Sequence, residues 1–391
     1  MFIKKLRLKN FLSYGPNEME IELNDLNILI GANGAGKSNL FEAISLLRST
    51  PKAIVSPVRK GGGVMDWLWK GATESTASIS FDFQNNFSRQ YSEYDIKYLL
   101  DFTVVNNRFE ITKEIIENTK PTPGSSRPYL YYSHDNFNTV INVAHEQRRL
   151  QREDIDPESS IFAQRKDPDT YPEITHLGKQ LENIKIYREW HFGVDCVVRQ
   201  SQPTDGDSSC LLEDCSNLAL VLNSLLSKNP ARKNLINQVK NIYDGADEVS
   251  VRIDAGRAIV QMIESDLPDA ISANRLSDGT LRYLCLMAIL LNPSPGPLIC
   301  LDEPELGMHP DLISGLAEML EEASKHTQII VNTHSPILLD AFSHRAEDIF
   351  VCRKEKGCSH IERLGEEVYS LLEKESLGTL WMRGELGGTR W

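Results

Sequence analysis

Three strands are predicted before residue 31. "FIKKLRL" and "EMEIEL" mix apolar and charged positions in the strand manner, while "NILI" is apolar throughout and runs into Gly31. The period then changes. Leu40, Ala43, Ile44 and Leu47 share one helical face, which Pro51 ends. Beyond a Gly-rich loop with two Trp, "RKGGGVMDWLWKG", the alternation returns. "YDIKYLLDFTVVNNRFEITKEII" reads as a hairpin turning at Asn106-Asn107, and "PYLYYSHDNFNTVINVA" as another turning near Asn136 to Asn138. Residues 145–175 are polar and broken by Pro, the pattern of a surface excursion or linker. Helical patterns follow in "HLGKQLENIKIYREW", "SNLALVLNSLLSKN" and "RKNLINQVKNIY", then a hairpin in "EVSVRIDAGRAIVQMI". In the last third strands alternate with helices: "PLICLD", "LISGLAEMLEEAS", "TQIIVNTH", "PILLDAF" and "DIFVCRK". That order predicts a largely parallel sheet with helical cover. No heptad pattern is sustained between residues 50 and 270, so no long coiled coil is expected.

Composition narrows this picture only a little. The chain has 391 residues, 41% hydrophobic and 25% charged, which is ordinary for a globular protein. There is no run of 18 apolar residues and the start lacks a signal-peptide core, so no membrane association and a cytoplasmic location are expected. Seven cysteines without a C-x-x-C pair read as free thiols, neither disulfides nor a zinc site. The net charge of −13 excludes a protein coated in positive potential but leaves room for a local nucleic-acid groove.

The chemistry sits at the ends of strands. "GANGAGKSN", from Gly31, fits G-x-x-x-x-G-K-[ST] between a strand and a helix. Its glycines let backbone N–H groups turn toward phosphate oxygens, Lys37 reaches the β and γ phosphates, and Ser38 ligates Mg²⁺. Asn33, Gly34, Gly36, Lys37, Ser38 and Asn39 are therefore candidate ATP-binding positions. "PLICLDEPE" is a continuously apolar strand ending in carboxylates. Asp302 is placed to support Mg²⁺ and Glu303 to deprotonate an attacking water, the bland alternative being a helix N-cap. "QIIVNTHSP" ends a further strand of the same sheet, which puts His334 at the carboxyl-end edge where it can meet a γ-phosphate. Ahead of these lies "NRLSDGTLRYL", a polar turn opening an apolar helix. It offers a second anion site of backbone N–H groups, the Ser277 hydroxyl and a positive helix end. One nucleotide does not need two such cradles. The economical reading is that Ser277 and Gly279 bind the γ-phosphate held by another copy of the chain.

The order "GANGAGKS", "LSDGT", "ICLDEPE", "NTH" resembles the ATPase head of the ABC superfamily, with Walker A, signature, Walker B and H-switch. Ser277 precedes Asp302 by 25 residues, and Asp302 precedes His334 by 32. "IKKLRLKNFLSYG" resembles the start of RecF-like and SMC-like heads. "NRLSDGTLRYLCL", "LDEPELGMHP", "THSPILLDAF" and "SLGTLWMRGELGG" resemble the compact bacterial ATPases of that branch, named AAA-type and linked to anti-phage defence. The resemblance implies an α/β P-loop head with a mostly parallel sheet core, an antiparallel β subdomain and a helical signature lobe. It also implies ATP and Mg²⁺ as cofactors, Glu303 as catalytic base, His334 as switch, and Ser277 and Gly279 acting across a dimer. Two positions depart from the pattern. Asp278 stands where the widest consensus has Gly, adding a carboxylate near a γ-phosphate. The Q-loop glutamine stays open between Gln84 and Gln90.

Residues 1–391 are thus expected to form one head: an N-terminal lobe with Walker A over 1–60, a β-hairpin and helical insertion over 61–215, and a C-terminal lobe over 216–391. A tail with Trp381 and Trp391 is expected to dock. The leading function is an ATPase that dimerises around two ATP, or assembles further, to control a small nuclease-like effector or nucleic acid in anti-phage defence. Alternatives are a RecF-type repair ATPase and a transporter subunit, the latter disfavoured by the start and the substituted signature. A nuclease with an appended acidic metal-binding domain is disfavoured because 57 residues follow His334.

Overall fold

The computed structural model describes residues 1–71, 76–85, 94–122, 124–135, 138–143, the backbone of 146–150, and 155–387. It divides into two compact units. The first comprises Met1–Ile184, Phe350–Leu364 and Gly387–Trp391; the second comprises Lys185–Ile349 and Gly365–Leu386.

In the first unit, β1 (Ile3–Lys9) pairs antiparallel with β2 (Met19–Glu22), and β3 (Leu26–Gly31) is buried along its whole length. The helices α1 (Lys37–Ser49), α2 (Val55–Lys60) and α3 (Val64–Trp67) follow. Next come β4 (Thr76–Phe83), β5 (Ile96–Val105), β6 (Arg108–Pro121), β7 (Pro128–Asp135), β8 (Asn138–Val143) and β9 (Glu146–Leu150). They extend β2 and β1 into an eight-stranded antiparallel sheet in the order β2-β1-β4-β5-β6-β7-β8-β9. Asn106 and Asn107 have φ of 50° and 62°, so both adopt the left-handed conformation that the two-residue turn between β5 and β6 demands. The turn between β7 and β8 falls on residues 136–137, outside the described residues.

The described residues of the stretch 145–175 do not form a linker. They contribute β9, α4 (Ile161–Gln164) and the start of α5 (Pro172–Glu182). Ile161 and Phe162 are fully buried, and the Ile161 N–H donates to the Glu114 carboxylate at 3.0 Å. Pro172, read from the sequence as a breaker, instead begins a helix, where its missing N–H costs nothing. The helix predicted over "HLGKQLENIKIYREW" accordingly starts earlier and ends at Glu182, and Lys185–Tyr187 is a strand.

That strand, β10 (Lys185–Tyr187), opens the second unit. β11 (Gln202–Pro203), α6 (Leu218–Leu226) and α7 (Asn229–Val239) precede the hairpin β12 (Ala246–Asp254) and β13 (Arg257–Glu264). After β14 (Ile271–Ser272) comes α8 (Asp278–Leu290), buried from Thr280 onward, which explains its nearly unbroken apolar sequence. β15 (Leu298–Asp302), α9 (Asp311–Ser324), β16 (Gln328–Asn332) and α10 (Pro336–Ala341) follow. β10, β15 and β16 are parallel neighbours, with Asp302 opposite Asn332 in register. β17 (Ile349–Glu355) and β18 (Cys358–Arg363) pair antiparallel in the first unit, where β17 lies beside β3. In the second unit α11 (Glu367–Leu372) precedes α12 (Leu377–Met382), which packs against α10 and buries Leu377, Leu380 and Trp381. Gly388 and Trp391 lie outside the described residues. The fold is α/β, and among the described residues the longest helix has 14 residues, so no long coiled coil is present.

Candidate nucleotide site

The glycine loop of the first unit turns sharply between β3 and α1. Gly34 has φ 76° and is exposed beside exposed Asn33. Gly36, at φ 107°, caps α1, and its carbonyl accepts a 2.9 Å hydrogen bond from the buried Tyr14 hydroxyl. A Cβ at Gly36 would stand 2.3 Å from Ser359 Oγ, so only glycine fits there. Asn39 Nδ2 donates to Ser13 Oγ at 2.6 Å, and the Ser13 and Ser359 hydroxyls are 2.7 Å apart, bracing the loop from outside. Buried Lys37 lays its ammonium on the carbonyls of Gly31 and Ala32, at 2.7 and 3.2 Å. Ser38 is exposed in the first turn of a 13-residue helix whose first turn holds no acidic residue. A loop of this shape at a positive helix end is built for phosphate.

The second unit carries the carboxylates. Asp302 ends β15 with its carboxylate bonded by Asn332 Nδ2 and its carbonyl by Trp190 Nε1 at 2.9 Å. Glu303 has φ 47°, the left-handed region, and three contacts fix it there. Its N–H donates to the Asn332 carbonyl at 2.8 Å, its carbonyl accepts from Arg282 Nη1 at 3.1 Å, and its Oε1 lies 3.7 Å from His334 Nε2. Arg282 is buried and stacks its guanidinium over Trp190 and Phe192, at 5.2 and 5.4 Å. Glu305 accepts from the Thr333 hydroxyl at 2.6 Å, and burial pushes its carboxyl above the ordinary range. The His334 ring also approaches Trp381, with centroids 6.4 Å apart.

Also in the second unit, Ser277 caps α8, accepting from the Thr280 N–H at 3.1 Å and sharing a 2.8 Å bond with its hydroxyl. A Cβ on Gly279 would meet the Gly307 carbonyl at 2.8 Å, so this glycine is needed for packing within the chain. Ser277, Gly279, Thr280, Tyr283, Gly307 and Met308 line part of a cavity of about 1090 Å³.

Several supporting residues carry no sequence signal. Trp190 belongs to no motif, and Asn332 and Thr333 lie in "NTH" without a role of their own in the sequence reading; Arg282 hints at itself, as a charge within an apolar helix. Gln84 follows β4, its N–H donating to the Phe2 carbonyl, and Gln90 lies outside the described residues. Among the described residues no three His, Cys, Asp or Glu side chains cluster to hold a metal. All seven cysteines are free, and no described helix is long and apolar enough to cross a membrane.

These features define an ATPase head of the RecF- and SMC-like branch. A family described as "AAA domain, putative AbiEii toxin, Type IV TA system" matches residues 26–340, and the chain belongs to that family. The Retron Vc95 probable ATPase of Vibrio cholerae is 22% identical over 392 residues, covering 86% of this chain and 71% of the relative. The Old nuclease of Escherichia phage P2 is 36% identical over 80 residues, 20% of this chain and 14% of the nuclease. The chain therefore spans only a small part of that phage protein. An Smc head solved with the C-winged helix domain of ScpA superposes with TM-score 0.59 at 16% identity, over 94% of this chain and 99% of that one. At that identity the likeness concerns the fold.

Proposed function

We propose that the chain binds and hydrolyses ATP with Mg²⁺ and joins a second copy around two nucleotides, and that this cycle controls an effector protein or nucleic acid in bacterial anti-phage defence. Lys37 and the N–H groups from Asn33 to Asn39 hold the phosphates. Ser38 and Asp302 hold Mg²⁺, which supplies charge neutralisation at the β and γ phosphates when bound. Glu303 takes the proton of the attacking water, and His334 contacts the γ-phosphate. Ser277 and Gly279 of the second copy cover that phosphate. The chain works in the cytoplasm beside a small effector, nuclease-like in character. Kinship to a retron ATPase and, over a short stretch, to a phage nuclease supports the defence role. An Smc head bound to a winged-helix domain supports a small partner.

The observation that carries the shared site is the capped, cavity-lining start of α8, a second anion cradle on one chain. Mixing two inactive variants tests it. Ser277→Arg puts a bulky cation at the cradle, and Lys37→Ala strips charge from the glycine loop. Their heterodimer holds one site with both lesions and one built from intact halves. An equal mixture is expected to recover about a quarter of wild-type turnover through random two-fold pairing. Full turnover by Ser277→Arg alone would reduce "LSDGT" to a helix cap.

A further inference from the structure

Asp278 is the first residue of α8 and 56% exposed, so its charge lies at the positive helix end that a phosphate would use. An acid there stabilises a helix by itself, and it competes with any incoming anion. One side chain answers it. Arg199, buried among backbone carbonyls, donates through Nε to Gly193 at 2.9 Å and through Nη1 to Ala273 at 3.1 Å and Leu276 at 2.6 Å. Its Nη2 bonds the Asp278 carboxylate. The guanidinium thus grips the segment immediately before Ser277 and the residue immediately after it.

We propose that Arg199 is a positioning residue for ATP-driven association: it neutralises Asp278 and pins the Leu276 carbonyl, leaving the start of α8 able to accept a phosphate carried by a second copy. This inference rests on the reading that Ser277 and Gly279 act across a dimer. It also accounts for the carboxylate in place of the consensus glycine, since the acid arrives with its own counter-charge. A residue that merely braced the loop would matter equally whether or not position 278 is acidic.

Four chains separate the two roles: wild type, Arg199→Gln, Asp278→Gly and the double variant. Sedimentation with a non-hydrolysable ATP analogue reads the dimerisation constant, and a fluorescent ATP analogue reads nucleotide binding to the single chain. Arg199→Gln is expected to bind nucleotide within about twofold of wild type and to dimerise at least about tenfold more weakly, because it exposes the phosphate to an uncompensated carboxylate. Adding Asp278→Gly to it should recover most of that loss, and by clearly more than the same change alters wild type. Additive effects, or no recovery, would overturn the inference in favour of a brace. If Arg199→Gln does not fold, Arg199→Lys and Arg199→Met decide: neither makes the guanidinium's bonds, so Lys, which keeps the charge, is expected to dimerise at least about threefold more tightly than Met, and equal dimerisation overturns the idea. Ser277→Arg run alongside distinguishes the failures. Normal dimerisation by Ser277→Arg sinks the shared-site reading itself. Its failure to dimerise, with Arg199→Gln behaving as wild type, sinks only the role of Arg199.

Discussion

Replacing Glu303 by Gly and by Ala separates what its backbone costs from what its carboxylate does. Both substitutions remove the carboxylate and its approach to His334, and they differ only in a Cβ. At φ 47° that Cβ is disfavoured by about 1–2 kcal/mol. Glycine escapes this cost but loses about 0.4–1 kcal/mol through the greater freedom of its unfolded chain. The difference leaves Glu303→Gly more stable than Glu303→Ala by about 0.8 kcal/mol at mid-range, within bounds of roughly 0–1.6 kcal/mol. Urea titration of the two variants side by side reads it directly. Turnover should fall about 10²–10⁴-fold in both, as for removal of a general base, with ATP affinity retained. An Ala variant as stable as the Gly variant would mean the left-handed conformation is not imposed by Asn332 and Arg282. Near-normal turnover in either would remove Glu303 from the base role. The two results fail independently, which makes the pair more informative than one isosteric change.

Lys37→Ala should lose ATP binding and hydrolysis together, checked by equilibrium binding of a fluorescent analogue; wild-type affinity would count against the glycine loop as the cradle. Trp381→Ala should destabilise the chain by about 3–5 kcal/mol, because the ring is buried where α12 meets α10; unchanged melting would return the tail to a frayed end. Glu305 gives a pH prediction. Burial raises its folded pKa above the ordinary value of 4.5, so folding penalises its charged form. Its contribution is fully present below the unfolded pKa and is lost as pH rises through the folded one. Glu305→Gln should therefore flatten the fall of stability above about pH 4.5, read by urea midpoints across that range; an identical pH profile would refute it.

What was legible in the sequence is what repeats or punctuates. The glycine loop follows an apolar strand and opens a periodic helix, and two adjacent Asn mark a hairpin because few other residues accept φ of 50° and 62°. The alternation of strands and helices after residue 297 gave the parallel pairing of β15 and β16. The stretch 145–175 misled because its buried residues, Ile161, Phe162, Tyr171 and Ile174, are spread among charges with no sustained period. Arg199 was invisible for another reason. Its bonds to Leu276 and Asp278 span 77 and 79 residues and end mostly on carbonyls, which every residue carries. Sequence pattern reports burial and turns. It does not report which distant side chain closes a backbone's accounts.

Asp278 and Glu305 make the same physical point by opposite routes. A surface proposed to receive polyphosphate is harmed by free negative charge, and the second unit carries four carboxylates between its signature loop and the end of "DEPE". Asp302 and Glu303 have proposed roles that require a carboxylate. The other two have none, and the charge of each is opposed locally. Asp278, exposed, is paired with a buried guanidinium, whereas Glu305 is withdrawn from solvent, and that burial disfavours its charged form even though the Thr333 hydroxyl donates to it. The two solutions differ in what they leave behind. A paired Asp278 remains sensitive to salt and to the loss of Arg199, while a buried Glu305 responds to pH and not to ionic strength. Salt titration of ATP-driven association should thus distinguish wild type from Asp278→Gly, and a salt response equal in both would place the sensitive charges elsewhere.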